Sequence, residues 1–548
     1  MGPLATIERY WQTLRWLKPV QIYGRLWFRL VRPRPDLRSA PPVRSPSGDW
    51  EPPARRAASL VEPGVFRFLN QTGALSDCGW DDPARDKLWR YNQHYFDDLN
   101  AEGADDRTAW HVALVDHWIN HNRPGSGSGW EPYPTSLRIV NWIKWALAGN
   151  ELSDTAIQSL AVQIRWLRRR LEWHLLGNHL FANAKALVFA GLWFEGPEAE
   201  GWLNIGLAIL ARQVPEQILS DGGQFELSPM YHALALEDFL DLVNVCRCFG
   251  DGLKPKQFAQ INELTDRVAS MRTWLAAMSH PDGRIALFND AAFGIAPENT
   301  ELEAYASRLG LGAAPALGAR VWLPATGYAR LSESGAVLIV DLGDVGPTYL
   351  PGHAHADTLS FELSVYGQRL FVNSGTSVYG VGAERLRQRG TAAHNTVVVA
   401  GKNSSDVWSG FRVGRRARPH RRLVPQIGEG QTAQALHDGY RHLPGRPSHH
   451  RQWTLSPGVL KIQDELGARH LNAEARYHLH PDVQPVLAED GKGVFTLPGG
   501  QEVRWNAWGE GVRLEPSTWH PEFGVSRPST CLVVPVRGRR AALDVSWS

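Results

Sequence analysis

The sequence predicts an α+β multidomain protein in which a helical region comes first and an antiparallel β-sandwich follows. From about residue 105 to 320, apolar residues recur at three- and four-residue spacing, as in "SLRIVNWIKWALAGN", which indicates consecutive amphipathic helices. From about residue 325, short β-rich runs such as "GAVLIVDLG" and "HNTVVVAGKN" are separated by Gly, Asn and Asp turns, which is typical of an antiparallel sandwich. The length of 548 residues also favours more than one domain.

The chain divides into three predicted segments. Residues 1–65 begin with a basic, aromatic, amphipathic helix and continue as a connector rich in Pro and Arg; 66–322 form the helical domain, and 323–548 form the sandwich. Successive helical hairpins are compatible with a bundle, a solenoid or a closed toroid. A cleft between a helical domain and a sheet is a common substrate site.

The N-terminal segment has arginines interspersed among its apolar residues and shows no uninterrupted apolar core with a cleavage site, so we expect no secretory signal. Its amphipathic helix either packs on the main body or makes peripheral membrane contact through residues 8–32. The balance of 58 Lys+Arg against 56 Asp+Glu gives a net charge of +2, which predicts no nucleic-acid partner. The 23 Trp suit either sugar rings or ordinary cores.

Three polar stretches are candidates for chemistry. In "LEWHLLGNHLFANAKAL", Asn178 and His179 follow a glycine between apolar helical stretches, which indicates a helix start that either exposes both side chains or is merely capped by them. In "DGGQFELSPMYHALALEDF", Tyr231 lies near another helix start, where a phenol exchanges protons with a substrate if its pKa is lowered. The alternative is a buried structural tyrosine.

The third stretch is "GHAHADTLSFEL", which places His353, His355 and Asp357 on one face if the chain is extended there. Further polar and cationic residues follow it, and so many are costly in a core, which favours a site. These residues are Asn373, Tyr379, Arg385, Arg389, His394 and Asn395. A metallohydrolase centre is disfavoured because Thr358 stands where such sites usually have another His.

Taken together, "GNHLFANAKALVFAGLWF", "FELSPMYH", "GHAHADTLSFEL", "FVNSGTSVYG" and "RGTAAHNTVVV" resemble the heparinase II/III family of polysaccharide lyases and its alginate-lyase relatives. The resemblance implies an incomplete α/α toroid followed by an antiparallel β-sandwich. It implies β-elimination at a uronic acid of an anionic polysaccharide, as in glycosaminoglycan or alginate degradation. Family lyases are generally exported, which implies a periplasmic or envelope location, whereas the sequence alone favours the cytoplasm or a membrane surface.

Carried over by motif, Asn178 and His179 would neutralise the uronate carboxylate, because an amide and an imidazole can both donate to it. Tyr231 would be the acid, and also the base for a syn elimination. His353 would be a second neutraliser, or the base for the other stereochemistry. The chemistry requires no cofactor.

Metal-bearing members of the family hold a structural zinc with the second His of the motif, a later Asp and a later His. The matching residues here are His355, Asn373 and His394, and a neutral amide is a poor zinc ligand, so the metal expectation rests on an incomplete ligand set. Asp357 is the alternative acceptor that orients an imidazole.

Other residues are expected to bind substrate. Arg138 could clamp a carboxylate, and Tyr95 and Trp142 could stack on sugar rings; the alternative for all three is helix packing. The other predicted substrate-binding residues are Glu226, Tyr379 and Arg389, and Asp290 is an expected acceptor for a cation in the cleft. Two functions remain open: a polysaccharide lyase, and a non-catalytic glycan-binding or assembly protein in exopolysaccharide production.

Overall fold

The computed structural model describes residues 3–427, 430–468, 472–508 and 511–548. Throughout the continuously described stretch 75–319, every regular element is helical. The helices are α1 (Pro3–Leu14), α2 (Pro19–Leu30), α3 (Leu75–Cys78), α4 (Lys87–Gln93), α5 (Thr108–His121), α6 (Pro132–Leu147), α7 (Asp154–Arg168), α8 (Gly177–Trp193), α9 (Pro197–Gln217), α10 (Pro229–Cys248), α11 (Pro255–Ala277), α12 (Asn299–Arg308) and α13 (Ala383–Gln388).

The N-terminal segment contains two helices where the sequence analysis expected one. The chain leaves α1 after Leu14, and Pro19 occupies the first turn of α2 behind an extended Lys18. Proline has no N–H to continue a preceding helix but suits the first turn of a new one, so the amphipathic pattern is divided at this point.

The centre of the helical domain is α8, which is buried from Leu180 to Trp193 and packs against α6, α9 and α10. Gly191 of α8 permits a close approach of α9, because a Cβ there would lie 2.5 Å from the backbone nitrogen of Leu203. This packing leaves only the N-terminal turn of α8 partly exposed, at Asn178 and His179.

The strands are β1 (Leu60–Glu62), β2 (Val65–Phe68), β3 (Gln71–Ala74), β4 (Arg320–Leu323), β5 (Tyr328–Glu333), β6 (Ala336–Asp341), β7 (Phe361–Val365), β8 (Gln368–Phe371), β9 (Val397–Val399), β10 (Val407–Trp408), β11 (Arg412–Val413), β12 (Pro419–Leu423), β13 (Gln426–Ile427), β14 (Gly430–His437), β15 (His449–Ser456), β16 (Val459–Leu466), β17 (Ala473–His478), β18 (Gln484–Leu487), β19 (Lys492–Thr496), β20 (Glu502–Trp508), β21 (Arg513–Trp519), β22 (Arg527–Pro535) and β23 (Arg540–Ser546).

The C-terminal strands form antiparallel sheets that share one apolar core. The largest sheet has the order β12-β14-β15-β16-β23-β20-β19-β18, with β13 beside β14. Two further sheets have the orders β4-β5-β6-β7-β8 and β21-β22-β17-β9, and β10 pairs with β11. Alternate residues of β15 and β16 are buried, as the two-residue period of a strand requires. The loops before β7 and before β9 extend from these sheets toward the helical domain, where they reach Asp290.

Candidate active site

Two helices begin at the same depression. Asn178 lies in the first turn of α8 and Tyr231 in the first turn of α10, and both side chains line this depression. Ser228 caps α10: its Oγ accepts from the Tyr231 N–H at 3.3 Å and donates to the Asp290 carbonyl at 2.6 Å. The remaining lining residues are Tyr133, Phe181, Gln217, Ile218, Gln224, Leu234, Ala235, Asp238 and Phe239.

The backbone is strained in three loops at this site. Leu176, Leu227 and Asn289 have φ of 62°, 61° and 57°, positive values that residues other than glycine rarely adopt. Each such residue costs about 1–3 kcal/mol and persists where the surroundings fix it. Gly177 (φ 54°) follows Leu176, and a Cβ there would lie 2.5 Å from Leu350 Cδ2. These loops present the first residues of α8, Glu226 and Asp290.

Asn178 and His179 offer donors beside the N-terminus of α8. Within the described residues, the Asn178 amide has no hydrogen-bond partner, so it is available to a ligand. His179 Nδ1 lies 3.2 Å from Glu172 Oε1, and its ring lies 4.6 Å from that of Tyr133. Burial disfavours the charged imidazole, but the carboxylates of Glu172, Glu226 and Glu131 together outweigh it and raise the pKa of His179. A helix N-terminus and an imidazolium together suit an anion.

The Tyr231 hydroxyl lies 3.0 Å from the Tyr379 hydroxyl, and its ring lies 4.0 Å from that of His353. Burial, then Tyr379 and the carboxylates of Asp290 and Glu226, raise the pKa of Tyr231 well above its ordinary value. Proton exchange by a base was conditional on a lowered pKa, and that condition is not met, because burial and the neighbouring Tyr379 and carboxylates all raise the pKa. At neutral pH Tyr231 is therefore protonated and able to donate.

His353 is held between two carboxylates. Its Nδ1 lies 2.9 Å from Asp290 Oδ2, whereas its Nε2 lies 3.5 Å from Glu226 Oε2, too far for a good hydrogen bond. The side chain is 15% exposed. A neutral imidazole that donates from Nδ1 to Asp290 keeps a lone pair on Nε2, so this arrangement suits a base.

Asp290 joins the two domains electrostatically. It is fully buried and accepts hydrogen bonds from both terminal nitrogens of Arg385, with Nη2 at 2.6 Å, and from His355 Nε2 at 2.8 Å. Burial alone would raise the carboxyl pKa, but Arg385 and the hydrogen bonds from His353 and His355 hold the pKa of Asp290 well below its ordinary value. The cation expected opposite Asp290 is thus Arg385.

The stretch from Gly352 to Asp357 is a series of turns before β7 and not an extended strand. His353 and His355 both reach Asp290, but Asp357 does not join them. Its Oδ2 has no hydrogen-bond partner among the described residues, and burial raises its pKa to about 6. The turns change the direction of successive side chains, so the period of two does not apply here.

The residues predicted to hold zinc do not form a complete ligand set. The rings of His355 and His394 are 5.2 Å apart, and the buried His355 Nδ1 and His394 Nε2 have no hydrogen-bond partner in the described parts of the chain. The third residue, Asn373, contributes its amide oxygen to His394 Nδ1 at 3.3 Å. Among the described residues, no group of three or more His, Cys, Asp or Glu is arranged to hold a metal ion. Two imidazoles and an amide do not fit a closed zinc site.

Three predicted substrate-binding residues lie away from the depression. Arg138 is fully buried, with its guanidinium 3.8 Å from the Trp118 ring and its Nε bonded to Gln163. Trp142 is also fully buried in the helical core. Arg389 donates to the carbonyls of Ala354 and Gly410 and so braces the loop that carries His353. Their positions support packing roles, because no surface of these side chains is left for a sugar.

The other three lie in or beside the site. Tyr379 contacts Tyr231, and Glu226 contacts His353. Tyr95 is buried behind Tyr133, with ring centroids 6.0 Å apart.

Sequence reasoning did not single out Tyr133 or Glu172 as members of the site. Tyr133 lies just before the apolar run that predicts α6, and Glu172 lies between Leu171 and Trp173 in the run before α8. The one available signal for Glu172 was an acidic residue seven positions before a candidate catalytic imidazole.

Comparison with known proteins agrees with this architecture. The model for the heparinase II/III N-terminus matches residues 112–306, and the model for the heparinase II/III-like C-terminal domain matches residues 315–548. The solved structure of a heparinase III superposes with a TM-score of 0.65 at 17% sequence identity, covering 85% of this chain and 77% of that one. The predicted order of helical toroid and antiparallel sandwich is confirmed.

Two curated relatives match in different ways. A heparin-sulfate lyase of Bacteroides stercoris is 30% identical over 246 residues, which are 41% of this chain and 36% of that protein. FtsZ-localized protein C of Caulobacter vibrioides is 26% identical over 494 residues, which are 83% of this chain and 80% of that protein. The match therefore spans about a third of the lyase and most of the Caulobacter protein. Together with the two family models, these findings show that the chain belongs to the heparinase II/III-like family.

Proposed function

We propose that this chain is a polysaccharide lyase that cleaves a uronic-acid-containing anionic polysaccharide by β-elimination. The observation that carries the proposal is the meeting of Asn178 and Tyr231 in one depression, with the ring of His353 4.0 Å from that of Tyr231. Family membership and the similarity to heparin-sulfate lyases support it.

The carboxylate of the sugar is neutralised first. Removal of a proton beside an anion accumulates negative charge, so donors must strengthen as the enolate-like state forms. The unpartnered amide of Asn178 and the imidazolium of His179 supply these donors, and the N-terminus of α8 adds its dipole. Glu172 favours the charged form of His179, because it raises the pKa of the imidazole, and it fixes the ring through the contact to Nδ1.

His353 and Tyr231 then carry out the two proton transfers. His353 Nε2 takes the proton from C5, the electron pair forms the C4–C5 double bond, and the C4–O bond breaks. Tyr231 gives its proton to the departing oxygen. The raised pKa of Tyr231 suits this acid role and opposes the base role that a syn elimination by tyrosine alone would require. Asp290 orients His353 for the base role.

No cofactor takes part in this chemistry. A structural zinc at His355, Asn373 and His394 remains a prediction, which metal analysis of the purified protein tests. The peripheral membrane contact predicted for residues 8–32 is a separate prediction and is not needed for the elimination.

The experiment offers the protein heparan sulfate, alginate, hyaluronan and a uronate-bearing exopolysaccharide, and follows the ultraviolet absorbance of the new double bond. We expect at least one polymer to give a signal that Tyr231→Phe abolishes. Tyr366→Phe is the matched control, because the Tyr366 hydroxyl donates to the Ser548 carbonyl within the sandwich and does not line the depression. Reducing ends without absorbance would contradict a lyase and indicate a hydrolase.

A second function is favoured by one observation. The match to FtsZ-localized protein C covers 80% of that protein, whereas the match to the Bacteroides stercoris lyase covers 36%. The alternative is a non-catalytic glycan-binding or assembly protein in production of a cell-surface polysaccharide. Retention on immobilised glycan without any absorbance change would select this alternative.

A further inference from the structure

Each of the two N-terminal helices exposes an apolar face. On α2, Ile22, Leu26 and Leu30 recur every four residues, and Tyr23 and Trp27 lie beside them; all five are more than half exposed. On α1, Ile7, Trp11 and Leu14 form a similar stripe. Single exposed apolar residues are ordinary, but two adjacent helices that each expose an apolar stripe indicate an interaction surface.

The opposite faces of the same helices hold them to the body. The Phe28 ring of α2 lies 4.3 Å from the ring of His174, and Gln21 donates to the carbonyl of Tyr349 at 3.3 Å. On α1, the Thr13 hydroxyl accepts from the indole N–H of Trp408 at 3.1 Å. The packing alternative of the sequence analysis accounts for these inner faces and leaves the outer faces unexplained.

The charges around the apolar face are almost all positive. On a helical wheel, Arg25 and Arg29 flank the stripe of α2 on one side. The basic residues of this segment are Arg9, Arg15, Lys18, Arg25, Arg29, Arg32 and Arg34, against the single acid Glu8. Apolar residues with Trp and Tyr on one face and arginines beside it are the composition of helices that lie in the headgroup region of an anionic membrane. Within the described residues, no helix has the length and apolar character needed to cross a bilayer.

We propose that α1 and α2 dock on an anionic bilayer surface, with their outer stripes in the headgroup boundary and their arginines on lipid phosphates. The docked helices lie near the start of α8, because the inner-face residue Phe28 of α2 contacts His174, four residues before Asn178. The substrate is then a polymer held near the membrane. That consequence rests on the proposed lyase activity, whereas the docking does not.

The test is flotation of the full chain with vesicles of phosphatidylcholine, with and without phosphatidylglycerol. We expect binding to the mixed vesicles that weakens with salt, and much less binding to phosphatidylcholine alone. Trp27→Glu should lower binding to mixed vesicles at least tenfold, and Arg25→Gln with Arg29→Gln should lower it severalfold.

Trp508→Glu is the matched control, because Trp508 and Trp27 are both 67% exposed and Trp508 lies on β20 of the sandwich. It should bind as the unsubstituted chain does, and thermal unfolding of all variants verifies their folding. Absence of vesicle binding, or equal binding by the Trp27 and Trp508 variants, would overturn the proposal. So would a dimer that Trp27→Glu dissociates without any change in vesicle binding. Vesicle binding without turnover leaves the docking intact and removes only the lyase.

Discussion

Two buried aspartates in this molecule have nearly the same partners, and only one of them lies at the cleft. Asp290 accepts from both terminal nitrogens of Arg385 and from two imidazoles. Asp464 accepts from Arg451, with Nε at 2.7 Å and Nη2 at 2.9 Å, and from His449 Nε2 at 2.6 Å. In both, the cation and the hydrogen bonds outweigh burial and lower the carboxyl pKa.

The two clusters differ in what their imidazoles do next. His449 Nδ1 accepts from His437 Nε2 at 3.0 Å, because His437 Nδ1 is occupied by the Gly439 N–H, and every member of that cluster is buried inside the sandwich. His353 is instead 15% exposed, contacts the Tyr231 ring, and leaves its Nε2 without a good hydrogen bond. A buried Asp–Arg–His cluster by itself therefore indicates a structural role. It becomes a candidate catalytic unit where one nitrogen remains free at a cleft.

The largest difference between the clusters is expected on replacing one imidazole of each. His353→Asn should lower kcat by about 10²–10⁴-fold, because it removes the base, and should cost little stability. His449→Asn should cost about 1–3 kcal/mol of unfolding free energy, because buried partners lose their bonds, and should leave kcat of the folded protein unchanged. The measurements are kcat on the most responsive polymer and urea unfolding. Equal effects of the two variants on kcat would contradict the distinction.

Replacing either aspartate should cost a similar amount of stability, but only the replacement of Asp290 should lower activity. Asp290→Asn and Asp464→Asn should each lower the unfolding free energy by about 3–5 kcal/mol, because a buried arginine loses its counter-charge. Only Asp290→Asn should also lower kcat of the folded protein, through the lost orientation of His353. Both folded-state carboxyl pKa values are lowered, so this stability is present at neutral pH and is lost as the pH falls through them. Denaturant unfolding with activity per folded molecule checks this, and full activity in Asp290→Asn would refute the role given to Asp290.

The next largest difference between the cleft and the buried cluster is expected in the pH dependence of kcat/KM. Below its raised pKa, His179 is charged and neutralises the substrate carboxylate. The value of kcat/KM should therefore fall up to tenfold per pH unit as the pH rises above that pKa. Glu172→Gln removes the charge that raises the pKa, so this alkaline limb should move to lower pH. His449→Asn serves as the control and should leave the limb in place. An unchanged limb in Glu172→Gln would exclude His179 as the titrating group.

The smallest effects are expected from the tyrosines beside each cluster. Tyr379→Phe removes the 3.0 Å contact to the Tyr231 hydroxyl and should change kcat by about fivefold, the equivalent of one hydrogen bond. Tyr440→Phe removes the 2.6 Å bond to the Val397 carbonyl beside His437, and should cost about 1 kcal/mol of stability without changing kcat. A rate change in Tyr440→Phe with none in Tyr379→Phe would reverse the assignment.

Local sequence signals predicted the parts of the site that local structure determines. Gly177 before Asn178 and Ser228-Pro229 before Tyr231 indicated two helix starts, and the structure has both. The change from helical to β texture near residue 325 predicted the order of the domains, because periodicity is a property of each segment alone.

Long-range pairing could not be predicted in this way. Arg385 and His353 reach Asp290 across 95 and 63 residues of chain, and no local pattern states such a contact. Arg138 and Trp142 have the residue types of a sugar site but lie on the inner face of α6, since burial depends on which neighbouring helices cover that face. The turns at residues 352–357 likewise redirected side chains that an extended chain would have aligned.

One comparison tests the central claim most directly: glycan binding and product formation by the unsubstituted chain and by Tyr231→Phe, measured on the same uronate polymer. We expect both proteins to bind the polymer with similar Kd, and only the unsubstituted chain to produce fragments with an unsaturated terminal sugar. Unsaturated fragments from Tyr231→Phe at the original rate, or none from either protein on every uronate polymer tried, would contradict it.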